Sequence, residues 1–445
     1  MPTTKPTDLT IRSYQVGFGD CFLLTFHYPP KAGKPDDRHL LIDCGSTGRP
    51  KNAPDLKGIA AQIASDCGGK LTAVIATHRH ADHINGFATA TNGKGSGDIL
   101  RKLKPKLVLQ PWTENPKAAK DAKSPPSGNG NGSPAFGSRH FVAGLNNMHE
   151  FASLILEELK RLGPTLSAGT RAQLRFLGEE NLKNASAVKN LMSMGQAAEY
   201  LHYGKPTALS QELPGVKIHV LGPPTPAQYP DIEKQRSQDA AEFWHILGAS
   251  ARRLAIAGGI MPFTRTFVHR RDPATGRQFP THARWMISRI KMAHVAQRLE
   301  IVRALDDAMN NTSLILLFEV GGKKFLFPGD AQIENWNYAL QDSPEAADNR
   351  ALLAGTDFYK VGHHGSLNAT PKTLWHLFKK TGGPAKIGRL HTAVSTMAGK
   401  HGSVGNQTEV PRRPLVTALT GESHFFSTQA LKKKTDISKV MPFKL

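Results

Sequence analysis

Apolar and polar positions alternate through LTIRSYQV, CFLLTF and HLLIDCG, with Gly17, Gly19 and the PPKAGKPDD segment between them, which predicts three adjacent strands. A helical pattern around Leu56 to Ala64 comes next, followed by a buried strand, LTAVIAT, that runs straight into a histidine-rich loop. After a further strand at Lys106 to Leu109, helical periodicity appears in FASLILEELKRLG and from Asn181 to Leu201, and VKIHVLGPP reads as a strand closed by a proline pair. Residues 225 to 310 read as mostly helical. The final third returns to strands: SLILLFEV, a GGK turn and FLFPGDA form a hairpin with Gly321 and Gly322 at its tip, and TDFYKVG leads directly into HHGS. A helix is expected at Pro371 to Lys379, a strand near Thr392 to Ser395, and a basic tail over 421–445 that contains Lys432, Lys433 and Lys434. Two halves of strands flanked by helices, with no internal repeat of fixed period, are compatible with an α/β (α+β) four-layer αββα sandwich. Its core would cover about 10–110 and 310–420, interrupted by a loop and helical insertion over 115–310.

Composition narrows the setting. The segment from Asn115 to Ser138 includes SPPSGNGNGSPAFGS and is too polar to bury a core, so a mobile loop is expected there. No run approaches the roughly 18 apolar residues that cross a bilayer, and the first residues lack the apolar stretch of a secretion signal, so a cytoplasmic protein is expected. Cys21, Cys44 and Cys67 are odd in number and lack CxxC spacing, which excludes a thiolate zinc knuckle and a disulfide framework. Metal ligands must therefore come from His, Asp and Glu. With 57 Lys+Arg against 36 Asp+Glu, the net charge of +21 favours a polyanionic partner, nucleic acid first among them. The stretch from Ala251 to Glu300 holds ten Lys/Arg against Asp272 and Glu300, with Phe263, Phe267 and Trp285 interleaved. Those aromatic side chains could stack on bases or simply pack a core.

His78, His80, Asp82 and His83 fall within six residues, directly after a buried strand and before Gly86. Such a loop can aim two imidazoles at one metal ion and a carboxylate with a third imidazole at another. A dinuclear site also needs a carboxylate that bridges the ions and a further histidine. Asp330, at the end of FLFP, and His363, at the end of TDFYKVG, supply these types at strand ends.

The order DCG, THRHADH, FPGDA and KVGHHGS resembles the metallo-β-lactamase superfamily, whose hallmark HxHxDH matches at His78, His80, Asp82 and His83. More narrowly, NNTSLILLFEVGGKKFLFPGD with DFYKVGHHGS is similar to the hydrolase domain of the competence protein ComEC and its soluble relatives. The resemblance covers residues 10 to 110 and about 310 to 420. It implies one metal on His78, His80 and Asp330 and a second on Asp82, His83, Asp330 and His363, with Zn²⁺ or Mn²⁺ as the two divalent ions. Asp82 would also orient the attacking water, as a catalytic residue, and Asp43 would support the histidine loop from behind. His363 is preferred as ligand because it leaves the strand first, with His364 facing the substrate or supporting the site in a catalytic role; motif alignment leaves the choice between the two open. The chain departs from the pattern twice. MNNTS, with Asn310 and Asn311, stands where many members carry another histidine, so an Asn oxygen, water or substrate would complete the first metal, with Asn311 supporting the site from behind. Val410 stands where a histidine before proline is expected, with His401, His424 or His269 as substitutes.

The resulting expectation is a hydrolase whose two cations activate a shared water, acting as a phosphodiesterase or nuclease on DNA or RNA. The alternatives are a hydrolase of a small ester, lactone or cyclic nucleotide, and a non-catalytic scaffold that binds nucleic acid or protein.

Overall fold

The computed structural model describes residues 5–31, 33–51, 53–115, 185–233, 309–366, 370–402, 409–433 and 435–445. The chain divides into two compact units: Met1–Asn146 with Glu180–Glu233 and Ala308–Leu445, and Asn147–Glu179 with Lys234–Asp307. All described residues belong to the first. The expected helix FASLILEELKRLG, the basic 251–300 stretch with Phe263, Phe267 and Trp285, His269, and nearly all of the 115–138 loop lie outside the described residues.

Strands β1 (Asp8–Tyr14), β2 (Phe22–Lys31), β3 (Lys34–Ile42), β4 (Ala73–Ile75), β5 (Leu107–Pro111) and β6 (Ala197–Leu201) belong to a first sheet. Strands β7 (Lys217–Gly222), β8 (Ile315–Val320), β9 (Lys323–Phe327), β10 (Phe358–Lys360), β11 (His391–Val394) and β12 (His424–Ser427) form a second, and β13 (Ser438–Lys444) returns to the first. The sheet orders are β13-β1-β2-β3-β4-β5-β6 and β12-β11-β10-β9-β8-β7. Each sheet has an antiparallel side, where hairpins are joined by the β13–β1 pair in one and the β7–β8 pair in the other, and a parallel side, made by crossovers: β3 to β6 run parallel in one, β9 to β12 in the other. The described helices are α1 (Leu56–Asp66), α2 (Ala81–Ile84), α3 (Ser96–Lys102), α4 (Ala185–Leu191), α5 (Leu209–Glu212), α6 (Ile333–Asn337), α7 (Ala346–Ala354), α8 (Lys372–Leu377) and α9 (Arg413–Glu422).

The period-2 pattern decides which side chains face which layer. Phe22, Leu24 and Phe26 of β2 and Leu40 and Ile42 of β3 point between the sheets, where they meet Phe318, Phe325 and Phe327. Phe22 and Phe327 pack edge-on with ring centres 5.9 Å apart. The alternate residues Leu23 and Leu41 face outward onto Ile59 and Ile63 of α1 and Leu100 of α3. On the opposite outer face, Leu317, Leu326 and Tyr359 meet Trp336, Leu353, Trp375 and Leu419 from α6, α7, α8 and α9. Helices therefore cover both outer faces, and the expected four-layer αββα architecture is the one observed. Fully burying a Leu or Phe contributes about 1.5–3 kcal/mol, so these three clusters set the spacing of the layers.

Three expectations are corrected. The helical pattern from Asn181 to Leu201 stops at α4, and Ala197–Leu201 pairs in parallel with β5, because sheet pairing overrides the helix-favouring composition of AAEYL. Together β6 and β7 show that part of the expected insertion completes both sheets at their edges. Residues 421–445 are no tail: they supply β12 and β13, and β13 lies antiparallel on β1 from Asp8↔Lys444 to Tyr14↔Ser438. Met441 and Phe443 enter the core between exposed neighbours, an alternation that the surrounding lysines obscure in the sequence. Among the described residues, no helix is long and apolar enough to cross a membrane.

Candidate metal centre

The chemistry-bearing residues gather where β3, β4, β9, β10 and β11 end at their carboxyl termini, the edge at which parallel strands release loops without competing hydrogen bonds. The two sheets are tied there by the Leu314 N–H, which donates to the Thr77 carbonyl at 2.9 Å. Two glycines permit the close approach of the loops. A side chain on Gly45 would collide with the Asp82 backbone, and one on Gly329 (φ +56) would lie 2.8 Å from the Thr77 Cβ.

In the histidine loop, Asp43 is the organiser. It is 1% exposed, its Oδ1 accepts from the Thr77 N–H at 2.7 Å, and its Oδ2 accepts from the Thr77 hydroxyl at 2.7 Å and faces His83 Nδ1 at 2.8 Å. Since the single Thr77 hydroxyl proton goes to Asp43, its oxygen can only accept from His78 Nδ1, 3.2 Å away. That assigns the proton of His78 to Nδ1 and leaves the lone pair on Nε2, which faces His80 Nδ1 at 2.9 Å. By the same argument His83 donates from Nδ1 to Asp43 and turns Nε2 to Asp330 Oδ2, 3.1 Å away. Arg79, between the histidines, faces the other way and grips Glu114 with two nitrogens at 2.7 and 2.9 Å.

The second half of the site comes from the other sheet. Asp330 is 1% exposed; its Oδ1 accepts from the His363 N–H at 3.0 Å and its Oδ2 faces His83. His364, fully buried, directs Nδ1 to the Ser395 carbonyl at 2.9 Å and Nε2 to Asp82 Oδ2 at 2.8 Å and Asp330 Oδ2 at 3.6 Å. Asp82, His83, Asp330 and His364 each offer one ligand atom, and these atoms all lie within 4.8 Å of one another.

His363 occupies a different place from the expected one. Its Nδ1 lies 2.8 Å from the Ser366 hydroxyl, and it is His364, not His363, that joins the buried cluster. The cause is backbone handedness: both residues have positive φ, 38° and 52°, so the turn swings the first side chain away and the second inward. Of the adjacent asparagines, Asn311 is used elsewhere, its carboxamide bridging Asn335 and Glu334 at 3.1 and 3.2 Å, whereas the Asn310 side chain is buried. His401 stands near the cluster: Phe18 lies between its ring and that of His364, with both centroid separations 4.3 Å. His424 is remote, stacked on His391 of β11.

Sequence reasoning missed Asp20 and Lys360, both buried here. Their signals were a carboxylate inside the apolar GFGDCFLL run and a lysine inside the core strand FYKVG. Asp20, Asp43 and His83 form a second cluster of possible ligands, but the Lys360 ammonium already contacts Asp20 there and supplies the cation.

The electrostatics divide the site. Burial, followed by the neighbouring His83 and His80, holds His78 well below the usual imidazole range, and burial lowers His80 as well. Burial also opposes charge on His83 and His364, yet Asp330 with Asp43 and Asp82 outweighs it at His83, and Asp330 with Asp82 and Asp20 at His364, so both are raised. Burial alone would raise Asp82 and Asp330, but the facing imidazoles keep both carboxylates below their usual range. Buried imidazole nitrogens and carboxylate oxygens converging from fixed tautomers are a donor set that suits Zn²⁺ or Mn²⁺, so the residues present fit a divalent metal ion.

No curated protein matches the chain. Residues 16–136, the stretch that carries the histidine loop and the strands on either side of it, are similar to the Metallo-beta-lactamase superfamily. That likeness and the buried His/Asp cluster together suggest a metal-dependent hydrolase with divalent metal ions.

Proposed function

We propose that the protein is a dinuclear metal-dependent phosphodiesterase that acts on nucleic acid. The observation that carries the metal reading is the convergence of Asp82, His83, Asp330 and His364 beside the facing pair His78 and His80. In this reading His78 and His80 would hold one ion and Asp82, His83 and His364 the other, with Asp330 available to either. When bound, two divalent cations supply Lewis acidity toward the substrate oxygens and acidify water.

The chain's own residues supply placement and charge. Asp43 and the Ser395 carbonyl fix the His83 and His364 rings so that each presents Nε2 without rotating. Ionised Asp82 can accept a hydrogen bond from an attacking water and so aim it at the scissile phosphorus. No side-chain nucleophile is needed. The net charge of +21 supports a polyanionic substrate, and so does the likeness of NNTSLILLFEVGGKKFLFPGD and DFYKVGHHGS to the competence-type domain.

Cleavage of labelled single- and double-stranded DNA with Mn²⁺ or Zn²⁺, by wild type beside the Asp82→Ala, His83→Ala double variant, tests the proposal. Cleavage by wild type alone is the expected result. Hydrolysis of bis-p-nitrophenyl phosphate without DNA cleavage would keep the metal centre and reassign the substrate to a small phosphoester. A wild type that cleaves neither overturns the enzyme reading.

A further inference from the structure

Lys360 is the last residue of β10, and its side chain is 3% exposed beside an Asp20 that is 1% exposed. Its ammonium contacts Asp20 Oδ2, donates to the Gly329 carbonyl at 3.1 Å and lies 3.4 Å from Asp330 Oδ1. With the His363 N–H on the same Oδ1, one oxygen of Asp330 is engaged and the other, Oδ2, is left facing His83 and His364.

Asp20 belongs to the opposite sheet. Its N–H donates to the Asp82 carbonyl at 2.9 Å, and its own carbonyl accepts from the Gly45 N–H at 3.0 Å, which fastens it to the histidine loop and to the turn after β3. The ion pair therefore links the segment between β1 and β2, fastened to the loop of His78 to His83, with the end of β10, which carries His364 and lies beside Asp330 at the end of β9. A buried ion pair adds little stability over apolar residues of the same size. Its location between two ligand-bearing segments points to geometry as its use.

We propose that Lys360 and Asp20 are positioning residues for the metal centre: the pair holds Asp330 with only Oδ2 toward the donor cluster and sets the spacing between ligands borne by the two sheets. This rests on the metal reading above. Support from behind a ligand of this kind changes metal affinity by about 10–100-fold.

The test compares wild type, Lys360→Met and the Lys360→Met, Asp20→Asn double variant. Zn²⁺ and Mn²⁺ affinities are measured by competition with a chromophoric chelator, and folding by circular dichroism and thermal melting. Lys360→Met takes the ammonium from a buried Asp20 carboxyl that then faces only the more distant His83 and His364, at 3.7 and 3.8 Å, so its Tm should fall along with metal affinity. In the double variant that carboxyl is gone and Tm should recover, while metal affinity stays about 10–100-fold below wild type. A merely structural pair would restore affinity together with Tm, and wild-type affinity in the folded double variant overturns the proposal. Failure of wild type to bind either ion would instead overturn the metal reading on which it rests.

Discussion

The loop after β4 and the turn after β10 deliver histidines to one centre by different means. In the first, His78, His80 and His83 sit at fixed spacings on a loop that enters one short helical turn at α2, and Asp43 sets the tautomers of His83 directly and of His78 through Thr77. In the second, two adjacent histidines compete for one place, and the choice is made by two successive left-handed residues, His363 and His364. Such conformations cost about 1–2 kcal/mol per residue. Here the cost is offset by the His363 N–H on Asp330 and by the bonds of His364 to Ser395 and Asp82. Asp43 (φ 54) is a third non-glycine residue of this kind at the same centre. Ligand identity is thus written in spacing where a loop is extended and in handedness where a turn is tight.

The largest effect expected concerns the residue that both halves share. Asp330→Ala should lower phosphodiester hydrolysis by about 10³-fold, because the charge-compensating group at the reacting centre is lost; initial rates on bis-p-nitrophenyl phosphate give the figure. Next, the two turn histidines should separate. His364→Ala is expected to cost about 10²-fold in the same assay, whereas His363→Ala should leave metal binding intact. Equal losses from both would erase the contrast drawn here. Asp43→Asn should weaken metal binding by about 10–100-fold, read by chelator competition, since it removes the acceptor that fixes His83.

A smaller effect separates the halves by pH. Burial keeps His78 and His80 neutral in the metal-free protein, so an ion held there displaces no proton from them around neutrality. His83 and His364 are raised against their burial by Asp330 and its neighbours, and they retain protons that a metal must displace. Affinity at the second position should therefore fall as pH falls, by about one to two log units per pH unit, while affinity at the first stays nearly flat. Titration calorimetry at pH 6, 7 and 8 in buffers of different ionisation enthalpy measures both the slope and the protons released.

The legibility of the sequence follows the same divide. Strands β1 to β3 and the β8–β9 hairpin were readable because alternation and turn glycines are local signals. The four residues of the histidine loop were readable because six consecutive positions hold them. The place of His364 was not, because φ at two adjacent non-glycine residues leaves no trace in composition. Nor were the contacts of Asp20 and Lys360, which are 340 residues apart in sequence and meet only when the two sheets pack. The strand nature of 438–444 was hidden for a related reason: Pro442 interrupts the run and Lys439 sits on the parity of Met441, and only the pairing with β1 gives Met441 and Phe443 an inner face.

The account stands most directly on where metal ions bind. Crystals of the protein loaded with Zn²⁺, measured on either side of the zinc absorption edge, should show two anomalous peaks: one beside His78 and His80, and one among Asp82, His83, Asp330 and His364. A single peak on Asp20 and Asp43, a second site built on His363, or no peak at all would contradict it.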